Sequence, residues 1–179
     1  MKTFLFDILK DIIGDKDCKF IAEIGTHKGG TAQQLISLFA PKVKQLTYYG
    51  YDIFDGDDPD IMFHKNERNG KAPALYNVAD STLKKMQKLY SNVDYKLYKG
   101  YTTDTLKPNK FDFVYIDGGH SYETVKHDYS MVKDSSIIVF DDVKIIGVNK
   151  FINELIASGV NVELVDTIVS KHVWAVIKN

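Results

Sequence analysis

The feature that most restricts how this chain can fold is an alternation. Short, continuously apolar runs, among them FIAEI, FDFVYI and IIVF, recur between segments whose apolar residues fall at helical spacing. A run without polar alternation suits a strand buried on both faces. Strands separated by helix-length connections imply an α/β, Rossmann-like, doubly wound and mostly parallel sheet. The pattern predicts strands over 19–25, 46–54, 93–100, 111–118, 135–142, 161–168 and 172–179. Between them run four helical stripes: Ala32, Leu35, Ile36 and Phe39, stopped by Pro41; Leu83, Met86 and Tyr90, behind a cap at Asp80; Val125, Tyr129 and Val132; and Val148, Phe151, Ile152, Leu155 and Ile156, closed by Gly159. The last two strands have no room for a crossover helix between them, so they are expected to form an antiparallel hairpin at one side.

A chain of 179 residues accommodates one domain, 1–179, with a core of its own. Phe4, Leu5, Ile8, Leu9 and Ile12 recur at helical spacing, which predicts an amphipathic cap helix over 1–14. Asp7, Lys10 and Asp11 interrupt that stretch and no small-residue cleavage site follows it, unlike a signal peptide. Residues 55–79 mix Gly, Pro and charges and read as a long loop or lid with room for short helical turns, where His64, Lys65, Glu67, Arg68 and Lys71 are solvated loop residues or, in the other reading, hold an anionic acceptor. The single cysteine, Cys18, cannot close an internal disulfide. Together with the lack of a run long enough to span a membrane, that leads us to expect a cytoplasmic protein. A net charge of −1 argues against nucleic acid or an anionic membrane as partner and leaves a small molecule.

The stretch Glu23-Ile-Gly25-Thr26-His-Lys-Gly29-Gly30-Thr31 joins the first parallel strand to its helix, at the edge where open parallel sheets bind ligands. Gly25 allows an unusual φ, and Gly29 and Gly30 allow backbone to approach a ligand closely; glycines required for packing are the other reading. The spacing is not the G-x-G-x-x-G of a dinucleotide site, and no Gly-Lys-Ser/Thr triplet ends the turn as in a P-loop. The second strand ends at Asp52, whose carboxylate can accept two hydrogen bonds from a ribose diol. Further acids stand at Asp117, after the fourth strand, and at Asp141 and Asp142, after the fifth. Carboxylates gathered at adjacent strand ends repel unless a cation joins them, and hard oxygen ligands favour Mg²⁺, Ca²⁺ or Mn²⁺. The other reading has the Asp141–Asp142 pair capping a turn. His120, close behind Asp117, titrates near neutral pH and is a candidate general base.

The pattern Glu23-x-Gly25-x-x-x-Gly29-x-Thr31 followed by Asp52 resembles the class I S-adenosylmethionine-dependent methyltransferases. That resemblance implies a seven-stranded sheet with a C-terminal antiparallel hairpin. It also implies that Glu23, Gly25, Thr26, Gly29, Gly30, Thr31 and Asp52 hold S-adenosyl-L-methionine, with Asp117 nearby and Thr102 beside the adenine. The string IDGGHSYETVKHDY, 116–129, is similar to metal-dependent O-methyltransferases of small molecules, notably the macrocin-type enzymes that act on sugars. By that likeness Asp117, Asp141 and Asp142 hold a divalent cation, with Mg²⁺ expected, and His120 is the catalytic base. Gly119 departs from the pattern, since some sugar enzymes carry a second acid there. The expected activity is therefore metal-assisted O-methylation of a small hydroxylated molecule such as a sugar. The rivals are an NAD(P)-linked oxidoreductase on a related sheet and a methyltransferase-like binding module without turnover. With few insertions, the acceptor site is either open or completed by a second copy of the chain in a homo-oligomer.

Overall fold

The computed structural model describes residues 3–54, 75–166 and 173–179. In chain order the elements are α1 (Thr3–Ile13), β1 (Phe20–Ile24), α2 (Gly30–Phe39), β2 (Leu46–Asp52), α3 (Tyr76–Leu89), β3 (Val93–Lys99), the short α4 (Thr102–Thr105), β4 (Phe113–Ile116), α5 (Tyr122–Val132), β5 (Ile137–Phe140), α6 (Ile146–Ala157), β6 (Val162–Asp166) and β7 (Val173–Lys178). The strands form one seven-stranded sheet in the order β3-β2-β1-β4-β5-β7-β6. The first five pair in parallel, while β7 runs antiparallel to both β5 and β6. The expected sheet and C-terminal hairpin are thus present, with β7 inserted between β5 and β6.

Alternation along each strand sends side chains to two cores. On one face Ile21, Tyr48, Phe113, Tyr115, Val139 and Trp174 pack under α1, α2 and α3, which contribute Leu9, Leu35, Ile36, Phe39, Leu83 and Met86. On the other face Ala22, Ile24, Val114, Ile116, Phe140 and Ile177 meet Val125, Phe151, Ile152 and Leu155 of α5 and α6. Strands β4 and β5 are buried along their whole length, which is why they carry no polar alternation. Each fully buried large side chain here contributes about 1.5–3 kcal/mol. The N-terminal helix forms as expected, with Leu9, Ile12 and Ile13 inward and Asp7, Lys10 and Asp11 outward.

Three expectations need correction. Helix α3 begins at Tyr76, so 76–79 are helical rather than loop, and Asp80 lies inside the helix rather than at its cap. The apolar stripe starts one turn earlier than it looks, because the small Ala79 is fully buried in line with Leu83 and Met86. Asp80 instead pairs with Lys84 at 2.7 Å and accepts from the Tyr95 hydroxyl at 2.7 Å. Ile156 is 44% exposed and stands outside the α6 stripe. Pro41 does follow α2, in a short 3₁₀ turn, and Gly159, at φ +87°, follows α6. Residues 55–74, with the loop or lid reading and the charged residues His64 to Lys71, lie outside the described residues.

Candidate active site

The carboxyl ends of β1, β2, β4 and β5 bring the sequence-derived candidates to one edge of the sheet. Gly25 follows β1 at φ +95°, and its N–H, with that of Thr26, donates to the Tyr51 carbonyl of β2. A Cβ on Gly25 would overlap the Asp117 carbonyl oxygen and lie 2.5 Å from the carbonyl carbon. This glycine therefore lets the ends of β1 and β4 touch. Gly29 caps α2 at φ +80°, and a Cβ there would meet Thr82 Cγ2 at 3.0 Å. Gly30 is different: among the described residues, nothing lies within 4 Å of the position its Cβ would take. The first-turn N–H groups of α2 have no side-chain cap at Gly29, so Gly30 and Thr31 begin a helix whose end can receive an anionic group.

Glu23 and Thr26, each 1% exposed, sit beneath that turn. The Tyr48 hydroxyl donates to Glu23 Oε2 and lies 3.3 Å from Thr26 Oγ1. Burial, reinforced by the neighbouring Glu23 charge, pushes Tyr48 well above the usual phenol range and keeps it a donor. Asp52 accepts from two backbone groups, His27 N–H at 2.7 Å and Phe54 N–H at 2.9 Å. His27 and Phe54 both have positive φ, 50° and 49°, a costly conformation for a bulky L-residue. Asp52 holds both turns in place, and each oxygen keeps a lone pair for a further donor. Gly100, at φ +132°, donates to the Asp52 carbonyl and leads through Tyr101, 39% exposed, to Thr102 at the start of α4.

The downstream acids do not act alike. His120 Nε2 lies 3.0 Å from Asp142 Oδ2 and 3.9 Å from Asp117 Oδ1. Ligand atoms of Asp117, His120 and Asp142 all fall within 4.8 Å of one another, an arrangement able to surround a cation. Adjacent ligands on an octahedral ion with bonds of about 2.1 Å stand about 3.0 Å apart, which the His120–Asp142 pair matches. Asp141 faces the other way. It accepts from the buried Tyr115 hydroxyl at 2.6 Å and from the Asp142 N–H at 2.7 Å. Burial, then the nearby Asp117 charge, raises its pKa above the ordinary carboxylate range.

Other residues at this edge had no mark in the sequence. Ser121 caps α5, accepting from Thr124 N–H at 3.2 Å. Gly147 of α6 packs onto the His120–Tyr122 backbone, where a Cβ would stand 2.7 Å from Tyr122 N. Only Tyr115 and Trp174 could have been suspected, as polar-tipped aromatics in otherwise apolar strands.

The donor set fits both implied groups. Uncapped α2 amides, the open space at Gly30 and the Asp52 carboxylate suit a zwitterionic, ribose-bearing cofactor. Two carboxylates and one imidazole suit a divalent ion. Among the described residues no helix is long and apolar enough to cross a membrane.

Comparison with known proteins agrees. Residues 22–143 match a family described as a methyltransferase domain. An uncharacterized protein of Acanthamoeba polyphaga mimivirus is 28% identical over 144 residues, covering 76% of this chain, which in turn spans 58% of that relative's length. The O-methyltransferase TomG from Streptomyces achromogenes, solved in complex with S-adenosylmethionine, superposes with a TM-score of 0.59 at 17% identity, over 98% of this chain and 78% of that one. Precorrin-6y C5,15-methyltransferase from Geobacter metallireducens gives 0.62 at 16% identity, over 98% and 87% of the respective chains. With the glycine turn, the strand-end aspartates and the β5-β7-β6 hairpin in place, the chain belongs to the methyltransferase-domain family and has the seven-stranded fold of the class I S-adenosylmethionine-dependent methyltransferases.

Proposed function

We propose that this protein transfers a methyl group from S-adenosylmethionine to an oxygen of a small hydroxylated molecule, with a divalent cation in the site. The observation that carries this reading is the convergence of Asp117, His120 and Asp142 on the sheet edge that also bears the glycine turn and Asp52. Glu23, Gly25 and Thr26 shape the floor of the turn. Gly29, Gly30 and Thr31 present α2's first amides, Asp52 receives the ribose, and Thr102 stands where the adenine would extend. When bound, S-adenosylmethionine supplies a methyl group on a sulfonium, and the sheet edge holds the acceptor in line with it.

The cation would be held by Asp117, His120 and Asp142, with Asp141 behind them. A divalent ion there lowers the pKa of a coordinated hydroxyl. The imidazole in the set favours Mn²⁺ or another borderline ion over the Mg²⁺ expected from three carboxylates. Coordination through Nε2 would replace that nitrogen's pairing with Asp142. In the ion-free chain, His120 paired with Asp142 can take the acceptor proton. A small acceptor is favoured over nucleic acid by the net charge of −1, and a sugar is the class suggested by the macrocin-type likeness.

Titration calorimetry with S-adenosylhomocysteine, alone and with Mg²⁺ or Mn²⁺, tests the reading. Binding strengthened by Mn²⁺ supports the whole of it. Binding indifferent to either ion removes the cation and leaves the His120–Asp142 pair, and no binding refutes the methyltransferase assignment.

A further inference from the structure

The C-terminal hairpin contributes more than an edge to the sheet. Because β7 runs antiparallel to β5, its first residues lie at β5's carboxyl end; Ala175 pairs with Phe140, and Val143 N–H donates to the Val173 carbonyl. This places Trp174, 4% exposed, beside the site, in the same core cluster as Tyr115. Tyr115, fully buried, donates onward to Asp141 Oδ2 at 2.6 Å. Asp141 Oδ1 accepts from the N–H of Asp142 at 2.7 Å. Asp142 has φ +54°, outside the conformations L-residues favour, and in that conformation its carboxylate reaches His120 at 3.0 Å.

We propose that Tyr115 is a positioning residue: by holding Asp141 against the Asp142 amide, it maintains the left-handed turn that aims Asp142 at His120. The inference rests on the reading that Asp142 and His120 act together in the site. It assigns Asp141 to the support of that pair, not to direct contact with a cation or acceptor. A phenol is suited to the task because its ring fills the core while its hydroxyl passes one directional bond to the strand end. Outer partners of this kind typically change activity or ion affinity by about 10–100-fold when removed.

The test uses the full chain and Tyr115→Phe, which removes the hydroxyl and keeps the ring. Long-range ¹H–¹⁵N spectra of the His120 imidazole, recorded with chelator at fixed pH, report its pairing with Asp142 directly; Asp142→Asn supplies the reference for the broken pair. The expected result is a His120 resonance in Tyr115→Phe moved toward that reference, Mn²⁺ affinity reduced at least 10-fold, and unchanged S-adenosylhomocysteine affinity. Asp141→Asn, which keeps one acceptor oxygen for the two donors, should move His120 by an intermediate amount. If Tyr115→Phe does not fold, Asp141→Ala, which removes the acceptors for both donors, should move His120 in the same direction. A native His120 resonance in a folded Tyr115→Phe overturns the proposal, as does one that Asp142→Asn itself leaves in place. Failure of the native chain to bind S-adenosylhomocysteine would count against the methyltransferase reading alone, since the His120 signal needs no cofactor.

Discussion

Replacing Gly25 by alanine should destabilise the chain severely, although the change adds one methyl group. Two independent costs meet at this position. At φ +95° a residue with a Cβ is strained, by about 1–2 kcal/mol for left-handed backbone. The added Cβ would lie 2.5 Å from the Asp117 carbonyl carbon and 2.9 Å from Gly118 N, against roughly 3.5–4.0 Å for comfortable carbon contacts. The ends of β1 and β4 must therefore part by about 1 Å, which strains the Asp117 N–H bond to the Ile24 carbonyl, now 2.8 Å. Leaving that buried pair unmade costs about 1–3 kcal/mol more. The sum is about 2–5 kcal/mol, or a fall in Tm of roughly 4–20 °C for a chain of this size.

Gly30→Ala is the matched control. Among the described residues its Cβ has nothing within 4 Å, and alanine is favoured over glycine in a helix by about 0.5–1 kcal/mol. That variant should be as stable as the native chain or slightly more so, while its S-adenosylhomocysteine affinity falls because the methyl enters the space beside α2's first turn. Urea denaturation with the slope held constant gives both stabilities, and calorimetry gives both affinities. A Gly25→Ala chain that loses less than about 1 kcal/mol, the lower bound of either cost, would refute the packing argument. A Gly30→Ala chain with native affinity would show that no ligand backs onto that turn.

Three further outcomes follow from the same edge and the core beneath it. Asp52→Ala removes the acceptor for His27 and Phe54 N–H and should cost about 2–4 kcal/mol in urea denaturation, with Asp52→Asn losing about half of that. The Cys18 thiol is pushed up from 9.0 to about 12, first by burial and then by Asp112. Because the folded value is the higher one, its contribution to stability is complete below pH 9 and is lost as pH rises from 9 toward 12; Cys18→Ala should flatten that alkaline decline, and alkylation at pH 8 should require denaturant. Asp128 of α5 is fully buried, with Oδ2 3.4 Å from the position of a Gly118 Cβ, directly beneath the Asp117–His120 loop. Asp128→Ala should lower stability by about 1–3 kcal/mol and weaken Mn²⁺ binding, whereas a loss under 0.5 kcal/mol would place it outside the support of that loop.

The positions of strands and of most helices were legible because β4 and β5 are buried on both faces, and FDFVYI and IIVF leave no alternation to misread. The hairpin was legible from connection length. What escaped was set by single contacts between distant segments. The start of α3 was hidden because Ala79 is small enough to look like loop yet packs fully. The partition of the acids was hidden for a related reason. Asp117, Asp141 and Asp142 look equivalent in sequence, and only the sheet shows that Asp141 projects toward Tyr115 while Asp142 turns back to His120. The glycine turn was legible as a feature but not in its division of labour, since only β4's position shows that Gly25 serves packing and Gly30 faces open space.

Among the described residues, the non-glycine residues with positive φ are His27, Phe54 and Asp142, and all lie at the carboxyl ends of strands. Each has its own N–H captured by an aspartate side chain: His27 and Phe54 by Asp52, Asp142 by Asp141. Sparsely populated backbone of this kind costs about 1–3 kcal/mol per residue and persists only where its surroundings over-determine it. Here the determining groups are carboxylates, so counting acids at the rim overstates how many are free to meet a cation or an acceptor. Asp52 and Asp141 spend hydrogen-bonding capacity on shaping the rim, whereas Asp117 and Asp142 turn theirs toward His120. The Asp-His-Asp arrangement follows from that division: with Asp141 committed to the turn, the imidazole of His120 lies within 3.9 Å of both other carboxylates.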